Sequence, residues 1–146
     1  MKNIKSIDPI SLETKELHKI LLSSIAPRPI AFASTVDSSG NVNLSPFSYF
    51  NVFSSNPPIL IFSPSRRVRD NTTKHTLENA METKEVVINV VNFPIVEQMS
   101  KSSIEYEKGV NEFIETGLTQ VKSLLVKPPR VCLLYTSPSP RDVEES

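Results

Sequence analysis

Between Asn43 and Pro64 the chain reads N-L-S-P-F-S-Y-F-N-V-F-S-S-N-P-P-I-L-I-F-S-P, setting the hydroxyls of Ser45, Ser48, Ser54, Ser55 and Ser63 among the rings of Phe47, Tyr49, Phe50 and Phe53. A buried sheet can be built from Val, Ile and Leu alone. This mixture of donors and flat apolar surface points to a planar ligand that makes hydrogen bonds. The alternative is a serine-rich strand pair whose aromatics fill the core. Downstream, Ser63-Pro64-Ser65-Arg66-Arg67 is followed by Arg69, Lys74 and Thr76, which gathers cations and hydroxyls around a turn and the first turns of an expected helix. Such a place suits an anion, because unpaired N–H groups and the helix dipole add to the side-chain charge. Arg offers bidentate contacts and Lys a point charge. A solvated basic loop is the competing reading.

The flanks narrow the choice. P-R-P-I-A-F-x-S-T-V-D-x-x-G-x-x-N-L-x-P-F-S-Y-F-N from Pro27 to Asn51, P-P-I-L-x-F-S-P from Pro57 to Pro64, and K-x-T-L-x-N from Lys74 to Asn79 together resemble the flavin reductase-like family, the FMN-binding split barrels. The resemblance spans roughly residues 15 to 131. One local departure is His75, where the family pattern has Asp between the lysine and the threonine.

The resemblance implies a mainly β protein, an antiparallel Greek-key split β-barrel with short peripheral helices. It implies an FMN site formed by Asn43, Ser45, Pro46, Phe47, Ser48, Ser63, Arg67, Lys74 and Thr76. Ser45, Phe47 and Ser48 sit where the family places ring contacts, and the backbone around Pro46 is expected to meet the pyrimidine edge. NAD(P)H is the implied electron donor, and free flavin or a small oxidised molecule the acceptor. A homodimer is implied too, because the family generally completes its FMN sites across a two-fold interface. Since the isoalloxazine performs the hydride chemistry, no catalytic acid or base is nominated. Two other functions stay open. One is a non-catalytic flavin carrier or sensor on the same fold. The other is a nucleic-acid-binding β-barrel that stacks bases on Phe47, Tyr49 and Phe50 and holds phosphates with Arg66, Arg67 and Arg69.

Composition sets limits around these readings. A length of 146 residues suits one domain with a single core, and a formal net charge of zero gives no global field to attract nucleic acid or an acidic membrane. No apolar run approaches the ~20 residues of a membrane span, and Met1-Lys2-Asn3-Ile4 opens no secretory signal, so a cytoplasmic protein is expected. One cysteine and two histidines supply neither a disulfide framework nor a zinc site, so no metal is expected. Gly40, Gly109 and Gly117 fit neither a dinucleotide fingerprint nor a P-loop.

The elements expected to position the site follow from periodicity. Leu12 to Leu22 reads as a short helix or an irregular lead-in, and Ile30–Val36 with Val42–Leu44 as a hairpin across Ser38-Ser39-Gly40-Asn41. Ile59–Phe62 and Val86–Val91 are continuous apolar runs, expected as central strands buried on both faces. Asp70-Asn71 is expected to cap a helix over Thr72–Met81 that turns Leu77, Ala80 and Met81 inward. Further helices are expected from Pro94 to Ser102 and from Asn111 to Thr116, the latter closed by Gly117. Asn89, inside V-V-I-N-V-V, needs a partner if buried. His75 reads as exposed on a polar helix face, and Glu105, Glu107, Glu112 and Glu115 as solvated surface. Arg28, between Pro27 and Pro29, reads either as a cofactor or cross-subunit contact or as part of a rigid extended lead into the first strand.

The C-terminus is read separately. From Cys132 the chain runs C-L-L-Y-T-S-P-S-P-R-D, which is similar to the in-frame translation of a transposase sequencing adapter. The expectation is a flavin-binding domain over residues 1–131, C-terminally incomplete, with 132–146 a non-native tail. A native disordered tail is the alternative.

Overall fold

The computed structural model describes residues 6–67 and 70–132. Helix α1 (Thr14–Ser24) leads into β1 (Ala31–Val36), whose Ala-Phe-Ala-Ser-Thr-Val sequence is buried at every position. Antiparallel neighbours lie on both sides of it, β2 (Val42–Phe47) and β5 (Val87–Val90). Ala31 faces Phe47 across one ladder and Val90 across the other, and Val36 faces Val42 beside the turn. Asp37 shapes that turn: its Oδ1 accepts from the N–H groups of Ser39 and Asn41 and its Oδ2 from Asn41 Nδ2, while Gly40 takes a φ of 88°. These bonds hold the Asp37 carboxyl below its ordinary pKa, with the Asn41 side chain the largest cause.

The period of two along β1 sends alternate residues into different apolar groups. Phe32 joins Leu44, Ile95, Phe113 and Val131, whereas Ala31 and Ala33 pack with Phe47, flanked by Phe50, Phe62, Val86 and Ile88. Asn89 finds partners on two strands, donating to Phe32 O at 3.0 Å and accepting from Val131 N at 2.9 Å. The sequence expectation for this residue holds.

A second antiparallel pair, β3 (Phe50–Ser55) and β4 (Pro58–Phe62), forms a ribbon with a register shift between Val52 and Ser54. Here the expectation of buried central strands needs correction. Ile59, Leu60 and Ile61 are 40–51% exposed, because among the described residues β4 pairs only with β3 and no layer covers the apolar run. Likewise β5 lies at the sheet edge and exposes Val90; the strand buried on both faces is β1.

Helix α2 (His75–Thr83) starts later than expected. Asp70 Oδ1 accepts from Thr72 N and Thr72 Oγ1, closing a turn of its own, and Asn71 adopts a left-handed φ of 57°, so Lys74 becomes the N-cap. Its buried side chains are Thr76 and Asn79, while Met81 is exposed. A 3-10 turn (Phe93–Ile95) runs into α3 (Val96–Ser102), and Asn111 Oδ1 caps α4 (Glu112–Thr116) by accepting from Phe113 N. Gly117 ends α4 at a φ of 72°. A short pair, β6 (Gln120–Val121) with β7 (Arg130–Val131), brings buried Val131 against Phe32. Of the segment 132–146, all but Cys132 lies outside the described residues.

Candidate functional site

The residues of β2 divide by register. Asn43, Ser45 and Phe47 share the face opposite Leu44, and α2 lies beside them: Asn43 Nδ2 donates to Thr76 Oγ1 at 3.1 Å and approaches Ser45 Oγ at 3.4 Å. Lys74, at the start of α2, sets its Nζ 5.0 Å from the centroid of the Phe47 ring. That ring lies 5.4 Å from Phe62, so the aromatic wall continues onto the ribbon.

Two adjoining clefts result, sharing Pro46 and Lys74. The first, of about 120 Å³, gathers Asn43, Ser45, Arg67, Thr76 and His75. The second, of about 200 Å³, gathers Phe47, Ser48, Tyr49, Ser63 and His18. Every one of Asn43, Ser45, Pro46, Phe47, Ser48, Ser63, Arg67, Lys74 and Thr76 therefore lines one cleft or the other. Ser54, Ser55 and Phe53 line neither: Ser55 pairs with Pro58 at the far end of the ribbon, and Phe53 is exposed beside the register shift. Arg66 turns away to donate to Asn71 O at 2.9 Å, and Arg69 lies outside the described residues.

Charge concentrates in the first cleft. The Arg67 Nη1 donates to Thr72 Oγ1 at 3.0 Å and to Thr73 O, which fixes the guanidinium on its own loop. Burial pushes the Lys74 pKa down, and the neighbouring Arg67 guanidinium adds to the effect. His75 is half-buried rather than exposed, and burial first, then Arg67, lowers its pKa as well. A negative charge placed between these groups would oppose both shifts by favouring the charged forms. Lys74 has no side-chain cap to offer, so the first N–H groups of α2 add to the attraction for negative charge.

Residues 22–135 match the family described as the flavin reductase like domain. The chain belongs to this family. It is 44% identical over 115 residues to an uncharacterized protein of Aquifex aeolicus, a match covering 79% of this chain and 58% of that one. Its fold is similar to nitrilotriacetate monooxygenase component B from Bacillus cereus, with a TM-score of 0.84, 30% identity, and coverage of 90% of this chain and 64% of the other. It is also similar to a Shewanella frigidimarina protein described by its split barrel domain, at a TM-score of 0.69 and 34% identity over 86% of this chain and 60% of that one. This flavin reductase-like chain thus has the split-barrel fold, mainly antiparallel β with short helices, and spans 58% of the length of the Aquifex relative.

The first cleft includes one residue that sequence reasoning placed on the solvated surface. Glu112 is buried against the outer edge of β2, where its Oε2 accepts from Leu44 N at 2.9 Å, and it lines the first cleft. Burial raises its pKa, with the Leu44 and Glu112 backbone N–H groups opposing. No sequence signal marks it, since its partner is a strand edge far along the chain. A raised folded-state pKa means the native state holds its proton longer than the unfolded chain, so Glu112 costs stability as pH rises above the ordinary carboxylate range. Replacing it with Gln is therefore expected to shift Tm upward relative to the parent as pH moves from about 4 to about 7, with the difference flat beyond its raised pKa. Differential scanning fluorimetry across that range checks the sign.

Arg28 also finds a structural place. Its Nη1 donates to Leu22 O at 2.9 Å and to Ile25 O, tying the end of α1 to the start of β1. The second cleft holds another pair not singled out before, His18 Nδ1 with Tyr49 Oη at 3.1 Å. Among the described residues, no three His, Cys, Asp or Glu side chains converge as a metal site, and no helix is long and apolar enough to cross a membrane.

Proposed function

We propose that this chain is the flavin-binding domain, residues 1–131, of a cytoplasmic oxidoreductase resembling NAD(P)H-dependent flavin reductases. In this reading it holds FMN, takes electrons from NAD(P)H and passes them to free flavin or a small oxidised molecule. The observation that carries it is the pair of clefts joined at Pro46 and Lys74, one aromatic and hydroxyl-lined, the other cationic, in a chain of the flavin reductase like family.

The donor set fits FMN. Arg67, Lys74, Thr76 and the first N–H groups of α2 suit its phosphate, and an anion there offsets the charge repulsion between Lys74 and Arg67. Phe47 supplies a flat wall, and Asn43, Ser45, Ser48 and Ser63 supply hydroxyl and amide groups beside it. Bound FMN contributes the two-electron chemistry of its ring system. The chain's own part is to bind, orient and polarise: Lys74 reaches both clefts, Arg67 is pre-set by Thr72 and Thr73, and Thr76 is fixed by Asn43. No side chain is assigned to proton transfer. Mixing the FMN-loaded protein with NADH or NADPH tests the reading. Flavin bleaching within catalytic time is expected, and a flavin that stays oxidised marks a carrier or sensor instead.

The exposed ribbon supports a homodimer. Val52 and Phe53 are more than 60% exposed and Leu60 51%, an apolar strip without cover among the described residues. In sedimentation the protein is expected to run as a dimer and the Leu60→Lys variant as a monomer; a parent that is monomeric at high concentration rejects this part. Residues 132–146 stand outside the proposed domain. In this reading the tail is non-native, so its removal is expected to leave Tm within about 2 °C. A large drop assigns the tail to the fold.

A further inference from the structure

Arg67 is held from two sides that belong to different parts of the chain. Its Nη1 is bound to its own loop, whereas its Nε faces Glu105, whose Oε1 lies 3.6 Å away. Glu105 comes from the connection between α3 and α4. Its side chain is 50% exposed, against 17% for Arg67. The same carboxylate favours the charged form of Lys74, and all three residues line one cleft with Thr76. A carboxylate therefore stands beside the two cations to which the proposed function assigns a phosphate.

We infer that Glu105 is a displaceable counter-ion of the phosphate subsite, a specificity-determining residue that lowers the preference for FMN over riboflavin and speeds FMN release. The inference rests on the proposed phosphate role of Arg67 and Lys74. Riboflavin carries no phosphate and leaves the Arg67–Glu105 pair intact. FMN must break the pair or tolerate a like charge at short range. Breaking it costs little, because an ion pair with one half-exposed partner is weak in water. The guanidinium keeps its Thr72 and Thr73 contacts throughout, so the subsite stays formed while its acidic partner leaves. The functional meaning is exchange: flavin is taken up and released rather than kept as a permanent group.

Glu105→Gln neutralises the charge without changing the size of the side chain. FMN and riboflavin are titrated by flavin fluorescence, inorganic phosphate is used as a competitor, and FMN dissociation is followed by stopped flow. The variant is expected to bind FMN about fivefold tighter and release it correspondingly more slowly. Riboflavin affinity is expected to be unchanged, and phosphate to compete more strongly. Glu107→Gln makes the same charge change two positions along, at an exposed residue, and is expected to alter none of these values. Unchanged or weaker FMN binding in Glu105→Gln overturns the inference, and so does equal tightening in Glu107→Gln, which would be a net-charge effect. Two failures can be told apart. If Arg67→Ala and Lys74→Ala fail to separate FMN from riboflavin, the phosphate reading falls and takes the inference with it; if they do separate the two flavins while Glu105→Gln is silent, only the inference falls.

Discussion

Replacing Lys74 or Arg67 with Ala is expected to weaken FMN by roughly 10- to 100-fold while changing riboflavin by less than about threefold, the size expected for one charge-assisted contact to phosphate. The two variants differ in their side effects. Lys74→Ala also removes the cation over the Phe47 ring, so a small riboflavin loss is expected there. Arg67→Ala removes the contacts to Thr72 Oγ1 and Thr73 O and loosens the loop before α2, but leaves the Thr72–Asp70 bond and the aromatic wall intact. Fluorescence titration with both flavins reads the difference. Equal losses for FMN and riboflavin in both variants would mean that the cations serve the loop and not a ligand.

The second large effect concerns the ring. Exchanging Ser45 or Ser48 for Leu adds apolar bulk where each serine lines a cleft, and flavin occupancy is expected to fall at least about tenfold. The sheet itself should survive. Ser45 pairs through its backbone with Ala33, and among the described residues its hydroxyl meets only Asn43, at 3.4 Å, so the far-ultraviolet circular dichroism of the variant is expected to match the parent. Ser45→Leu also crowds the approach to Asn43 and Thr76, which predicts a larger loss than Ser48→Leu. Unfolding in place of clean flavin loss would return these serines to a packing role.

The hairpin of β1 and β2 was legible because its two β-prone runs and the Ser-Ser-Gly-Asn turn are local signals. Helices α3 and α4 were equally plain from Pro94, Asn111 and Gly117. The ribbon was not. A continuous apolar run such as Ile59–Phe62 has the same sequence whether it is enclosed within one chain or left open for another surface, and only the pairing of β4 with β3 alone separates the two cases. The start of α2 was misread because Asp70 spends its oxygen on the Thr72 turn, a choice between two caps that sequence leaves open. The cleft-lining residues of β2 and of the loop before α2 were legible as one group because they fall close together in sequence. Glu112 was missed because it meets Leu44 only through the tertiary fold, and an acidic residue in N-E-F-I-E-T carries no mark of burial.

Flavin binding in the paired clefts beside Phe47 and Lys74 is the property on which the proposed function depends. The most direct measurement is the visible absorbance spectrum of the purified protein after incubation with FMN and removal of free flavin by gel filtration. A yellow fraction is expected, with flavin bands shifted from those of free FMN, bound flavin near one equivalent per chain, and loss of the bands in the Lys74→Ala and Ser45→Leu variants. A folded parent that elutes colourless after loading at high FMN concentration would contradict the account.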